Sequence, residues 1–208
     1  MIYVRVSPNN PELSSIEEVG KILAMGGIAI FPTDTVYGLG CDVLNEKSVK
    51  RIYELKKREN KPLPILLSSH EVADKIALMS ETAKLLARRF WPGALTLKVY
   101  PKIKLPIYFL DDEGKIAVRI PDHPVPRMLS NYINGMIVGT SANISGMTPP
   151  VTAEDALKQI MGVDAVIDAG PSRLGKPSTI VDVAGKEIKL VREGSIPFSI
   201  IEGELKVG

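Results

Sequence analysis

The apolar run Ile28-Ala29-Ile30-Phe31 leads directly into Pro32-Thr33-Asp34-Thr35-Val36-Tyr37-Gly38-Leu39-Gly40. A run this short, opened by Gly26-Gly27, reads as a buried strand. Its end carries two hydroxyls, a carboxylate and a phenol, and strand ends are where α/β folds gather ligand chemistry. Two threonines, one aspartate and two glycines within residues 33–40 supply donors, acceptors and close backbone approach for a small polar ligand. The same composition also suits a glycine-punctuated turn between strands, and at this point both readings stand.

The remaining sequence alternates helix and strand signals. Ser14 to Glu17 and Ser15 to Glu18 have capping-box spacing, and Ile16, Val19, Ile22 and Leu23 recur on one face of a helix that Gly26-Gly27 ends. Asn45 can cap a second helix, whose stripe of Val49, Ile52 and Tyr53 turns Lys56 toward the interior. Lys57, Arg58, Glu59, Asn60, Lys61 and Pro62 follow as a basic exit loop. Cations near a helix C-terminus complement its dipole, but four of them within residues 56–61 are more than that explains. Ser80 starts a third helix, with Ala83, Leu86, Ala87 and Phe90 inward, Arg88 and Arg89 outward, and Trp91-Pro92-Gly93 as its stop. Residues 95–99 and 115–120 alternate as half-exposed strands, the second with Lys115, Ala117 and Arg119 on one face. A helix through Met128 and Leu129 leads to a strand at 136–139. Thr152 and Asp155 cap a helix through Ala156, Leu157 and Ile160, and strands at 163–168, 178–183 and 188–192 precede a closing helix at 196–205. This alternation predicts an α/β fold with a mixed sheet, in one domain over residues 1–208.

Composition narrows the function. At 208 residues, 45% hydrophobic and 24% charged, the chain has the makeup of an ordinary globular protein with one substantial core. Lys and Arg total 26 against 24 acidic residues, so a net charge of +2 offers no broad field for nucleic acid or a membrane surface. Cys41 is the single cysteine, which excludes an internal disulfide framework and a multi-cysteine zinc site. The chain opens without a signal-peptide pattern, and no apolar run reaches the ~18 residues of a membrane span. The expectation is a soluble cytoplasmic protein with no membrane partner.

Two near-motifs fail on particular residues. Gly170-Pro171-Ser172-Arg173-Leu174-Gly175-Lys176 has P-loop spacing, but Pro177 replaces the magnesium-binding hydroxyl and a strand follows, so the helix-end amide cradle is missing. Gly139-Thr140-Ser141-Ala142-Asn143 falls one residue short of a nucleophile elbow, and a serine hydrolase at Ser141 could draw its base only from His70 or His123. Thr33, Thr35, Arg119, Ser141, Asn143, Ser178, Thr179 and Arg192 all fall at predicted strand ends, with Lys56 and Arg58 at a helix end. Cations gathered without a carboxylate cluster or metal ligands suit an anionic ligand such as a triphosphate.

Five motifs in order resemble those of the YrdC-like threonylcarbamoyl-adenylate synthases along nearly the whole chain. They are residues 31–40, Lys56-Lys57-Arg58 before Lys61-Pro62-Leu63, Ala117-Val118-Arg119-Ile120-Pro121-Asp122-His123-Pro124, Ser141-Ala142-Asn143 and Ser178-Thr179-Ile180. The resemblance implies an α/β fold in which a twisted mixed sheet and flanking helices surround a deep cavity. It also implies a nucleotidyltransferase that joins L-threonine, bicarbonate and ATP into threonylcarbamoyl-adenylate and releases pyrophosphate, with Mg2+ carried by the nucleotide and no metal site of its own. A downstream tRNA-modifying transferase would take the product to the adenosine beside the anticodon. Matched to the family's pattern, Lys56, Arg58, Ser141, Asn143 and Arg192 fall at nucleotide positions, Lys56 and Arg58 being the catalytic pair. Thr33, Thr35, Arg119, Ala142 and Ser178 fall around the threonine. Two residues depart from the pattern: Leu66 stands where many members have His, and Glu59 where they have Pro. The alternative is an RNA-binding module for tRNA or double-stranded RNA, without catalysis, built on residues 56–61 with Arg88 and Arg89. Direct contact with tRNA stays open for the synthase as well.

Overall fold

Short apolar strands and capped helices follow one another through the computed structural model, which describes residues 1–59, 61–185 and 187–206. Asn60 of the basic exit loop lies outside the described residues. The chain opens with β1 (Ile2–Arg5), α1 (Leu13–Ala24), β2 (Ala29–Phe31) and β3 (Gly38–Gly40). Next come α2 (Glu46–Lys56), β4 (Ile65–Leu67), α3 (His70–Ile76), β5 (Ala77–Leu78), α4 (Glu81–Phe90) and β6 (Leu95–Pro101). Then β7 (Ile116–Arg119), α5 (Pro124–Asn131), β8 (Met136–Val138), β9 (Thr140–Ser141) and α6 (Ala153–Gln159) lead to β10 (Ala165–Asp168), β11 (Thr179–Asp182), β12 (Lys189–Arg192) and α7 (Phe198–Lys206).

The mixed sheet expected from the sequence is two mixed sheets. One has the order β1-β10-β2-β3-β9, and the other β12-β11-β6-β7-β4-β8 with β5 alongside β6. The division follows from residues 38–40, which pair as an antiparallel strand with both β2 and β9 rather than forming a loop. The sheets are tied where the amide of Val138 donates to the Cys41 carbonyl at 3.0 Å. Glycine is needed at position 40, because a Cβ there would sit 2.1 Å from the Val138 carbonyl oxygen.

Caps explain most helix starts. The side chains of Asn45, Ser80 and Thr152 each accept an amide from the first turn of α2, α4 and α6. Helix α1 starts earlier than its serines suggested: Glu12 is the N-cap without a side-chain bond, and Ser14 and Ser15 lie inside the first turn. Its position is set by the buried face of Ile16, Val19, Gly20 and Leu23, which packs with Val125 and Leu129 of α5. A larger core joins Ile28, Ile30, Leu39, Ile52, Ile65, Leu97 and Val118, all fully buried. Each such side chain contributes about 1.5–3 kcal/mol of burial. Strands β6 and β7 depart from the half-exposed expectation: Thr96, Arg119 and Lys115, which just precedes β7, are buried, because their polar face turns into the molecule. Among the described residues no helix is long and apolar enough to cross a membrane.

Candidate functional site

That inward polar face meets the 33–37 loop, β9 and the ends of β11 and β12 around one cavity of about 180 Å3. This lies below the ~300–1,000 Å3 typical of sites for drug-sized ligands, so its enclosed part suits a molecule of amino-acid size. Thr33, Thr35, Arg58, Arg119, Ser141, Ser178 and Arg192 line it, together with Leu66, Thr96, Ala117 and Ile180.

The 33–37 loop is held rigid by its own side chains. Thr33 Oγ1 donates to the Val36 carbonyl at 2.6 Å, accepts the Thr35 amide at 3.1 Å and lies 2.9 Å from Thr35 Oγ1. Tyr37 anchors the next turn, its hydroxyl donating to the Gly170 carbonyl at 2.7 Å. Arg119, at the end of β7, reaches into this loop: NH1 meets Asp34 Oδ1 at 2.9 Å and NH2 meets Thr35 Oγ1 at 3.3 Å. On the opposite wall Ser178 Oγ is 2.8 Å from Thr96 Oγ1, and Arg192 NH2 donates to the Ser178 carbonyl at 2.8 Å. The chain after Arg192 presses on this corner so closely that a Cβ at Gly194 would lie 2.3 Å from the Pro177 carbonyl oxygen.

Helix α2 delivers the remaining cations. Lys57 caps it in the left-handed conformation with φ 48°, which turns the backbone so that Arg58 leaves the helix and enters the cavity wall. Arg58 Nε and NH2 donate to the carbonyls of Lys61 at 3.0 Å and Pro62 at 2.9 Å. Among the described residues neither Arg58 nor Arg192 has a carboxylate partner, whereas Arg119 is paired with Asp34. Burial, followed by the charges of Arg119 and Arg58, pushes Arg192 below the ordinary arginine value. Burial likewise pushes Arg58 down.

Lys56 points inward as its helical position predicted, but not into the cavity. It is buried, and Nζ donates to the carbonyls of Ser141 and, at 2.7 Å, of Asn143. Burial, then the neighbouring Arg58, pushes its ammonium down to about 7. Asn143 is buried behind the same turn, donating from Nδ2 to the carbonyls of Ile144 and Met147 at 2.8 Å each, while Ala142 packs into the core. Of the nucleotide and threonine positions implied by the resemblance, the structure thus brings Thr33, Thr35, Arg58, Arg119, Ser141, Ser178 and Arg192 to one cavity. Lys56, Ala142 and Asn143 shape the turn that carries Ser141.

Among the described residues no imidazole hydrogen-bonds to Ser141. His123 instead caps α5, Nδ1 accepting the Val125 amide at 3.2 Å, and burial pushes it down to about 4. Arg89 is tied to Glu204 at 3.0 Å. Sequence reasoning missed Asp34 as the partner of Arg119, and Thr96 as the partner of Ser178. The signal for Thr96 was its place on the polar face of an alternating strand; Asp34 gave none beyond its neighbours, since its partner is 85 residues away.

The Sua5_yciO_yrdC family model, described as telomere recombination, matches residues 21–194. The chain belongs to this family. A Methanocaldococcus jannaschii member is 39% identical over 185 residues, 88% of this chain and 87% of that one. The threonylcarbamoyl-AMP synthase of Pyrococcus abyssi is 39% identical over 88% of this chain, which spans 55% of that longer protein. The crystal structure of P. abyssi Sua5 complexed with L-threonine superposes with a TM-score of 0.93 at 35% identity, covering 99% of this chain and 61% of that one. E. coli YciO, at 23% identity and a TM-score of 0.84, shares the Sua5/YciO/YrdC fold.

Proposed function

We propose that this protein is an L-threonylcarbamoyladenylate synthase, a nucleotidyltransferase working as a single domain over residues 1–208. The observation that carries the reading is the cavity itself: three guanidinium groups and a set of fixed hydroxyls converge on it, and among the described residues two of those cations have no carboxylate of their own. A ligand with several negative charges balances them, and a P. abyssi family member at 35% identity was solved with L-threonine.

In this reading Arg119, Ser178 and the Thr33 and Thr35 hydroxyls hold threonine, while Arg58, Arg192 and Ser141 hold ATP phosphates. The threonine amine bonds to the carbon of bicarbonate, one C–O bond of bicarbonate breaks with its oxygen leaving as water, and a carbamate results. A carbamate oxygen then attacks the α-phosphorus, the bond from that phosphorus to the bridging oxygen breaks, and pyrophosphate leaves with the electron pair. Both reactants are anions, so the chain's task is to align them and offset their repulsion, which fixed guanidinium groups do without reorganising. Lys56 and Asn143 act by holding the turn that presents Ser141. Mg2+ arrives on the nucleotide, held largely by its phosphates. The adenylate is a reactive mixed anhydride and calls for a transferase that consumes it, here one acting on tRNA in the cytoplasm.

Pyrophosphate release tests the reading. It is expected from ATP only when L-threonine and bicarbonate are both present; release with neither, or none with both, contradicts it.

A further inference from the structure

We infer that Asp34 is a specificity-determining residue: paired with Arg119 behind the cavity wall, it makes that end a seat for a single carboxylate and keeps phosphate out. The inference rests on the reading of the cavity as holding an amino acid beside a nucleotide.

The three guanidinium groups are not equivalent. Asp34 is 1% exposed and Arg119 5%, and their contact at 2.9 Å neutralises the charge before any ligand arrives. Among the described residues the partners of Arg58 and Arg192 include no carboxylate, their hydrogen bonds going to backbone carbonyls and, for Arg192, the Ser178 hydroxyl, so their charges stay open toward the cavity. A guanidinium has five N–H donors. Among the described residues Arg119 directs three of them to Asp34 Oδ1, the Gly93 carbonyl and Thr35 Oγ1. The Nε hydrogen and one NH2 hydrogen remain, the two donors that a carboxylate takes as a fork.

A zwitterion needs little net charge from its seat, whereas a phosphate carrying two or more charges gains most where cations are uncompensated. Asp34 therefore directs phosphates toward Arg58 and Arg192 and leaves the Arg119 end to the amino acid. Discrimination of this kind is a difference of two affinities, set as much by what is disfavoured as by what is held. Among the described residues the buried Asp34 Oδ2 has no hydrogen-bond partner, so a merely structural account of the pair leaves that oxygen unexplained.

The test uses L-threonine and inorganic phosphate as calorimetric titrants for the wild type and Asp34→Asn, with circular dichroism to verify folding. In the wild type, phosphate is expected to leave threonine affinity unchanged. In Asp34→Asn it is expected to compete with threonine, and the ratio of threonine to phosphate affinity is expected to fall about tenfold, the scale of one charge-assisted contact. A folded Asp34→Asn protein with the wild-type ratio overturns the proposal. So does competition by phosphate in the wild type, a result that needs no variant to fold. Both of those results leave the amino-acid reading standing, whereas absence of threonine binding by the wild type removes that reading and this proposal with it.

Discussion

Among the described residues Arg58 and Arg192 reach the cavity without a carboxylate partner, held by backbone carbonyls and, for Arg192, the Ser178 hydroxyl, which separates their contribution to binding from their contribution to stability. A charge-assisted contact to phosphate is worth about 1.5–3 kcal/mol, so Arg58→Ala and Arg192→Ala are each expected to weaken ATP binding by roughly 10- to 150-fold. Calorimetric titration with ATP checks this, and unchanged affinity in both variants contradicts the assignment. Lys56 behaves differently, because its Nζ satisfies two buried carbonyls. Lys56→Met leaves the Ser141 carbonyl only the Asn143 amide at 2.9 Å and orphans the Asn143 carbonyl, and is expected to cost about 1–3 kcal/mol of stability, read from urea unfolding. The pH dependence has a definite sign. Folded Lys56 titrates at about 7, while an unfolded lysine titrates near ~10.4. Between those values the unfolded state binds the extra proton, so the wild type gains stability as pH rises through that window and is flat in this respect below it. The gap between wild type and Lys56→Met should therefore widen from neutral to alkaline pH; parallel profiles contradict the burial of that ammonium.

Among the elements, β3 is the joint on which the cavity depends, since it pairs with β2 and β9 and lies under the Val138 carbonyl. Gly40→Ala is expected to cost about 3 kcal/mol, the upper end of overpacking penalties, because the clash is with backbone that cannot rotate away. A urea midpoint within error of the wild type contradicts that geometry. This strand was also the least legible element in the sequence: Gly38-Leu39-Gly40 reads as loop because glycine disfavours strands, and only tertiary pairing overrides the preference. Helix α3 escaped notice because seven residues carry too few turns to show a stripe. The long capped helices, and the strands with clean alternation, were legible to within a few residues. At the site, hydroxyls and arginines at strand ends were legible in the same way, because strand direction places them. The partners of Lys56 were not, because backbone carbonyls carry no sequence signal.

At the scale of the whole molecule, two sheets converge on one cavity while the surface carries a formal charge of only +2. That near balance argues against long-range attraction of RNA, and Arg89, one of the cations considered for it, is already paired with Glu204. A tRNA titration across salt is accordingly expected to lack the steep loss of affinity that several phosphate contacts produce. Formation of an adenylate from three small molecules is the activity to be seen directly. The most direct test incubates the protein with ATP, L-threonine and isotope-labelled bicarbonate and follows the products by mass spectrometry. Threonylcarbamoyl-adenylate carrying the label is expected, formed in step with pyrophosphate and lost when threonine is omitted. Pyrophosphate without the labelled adenylate, or bound ATP that yields neither product, would contradict the synthase reading.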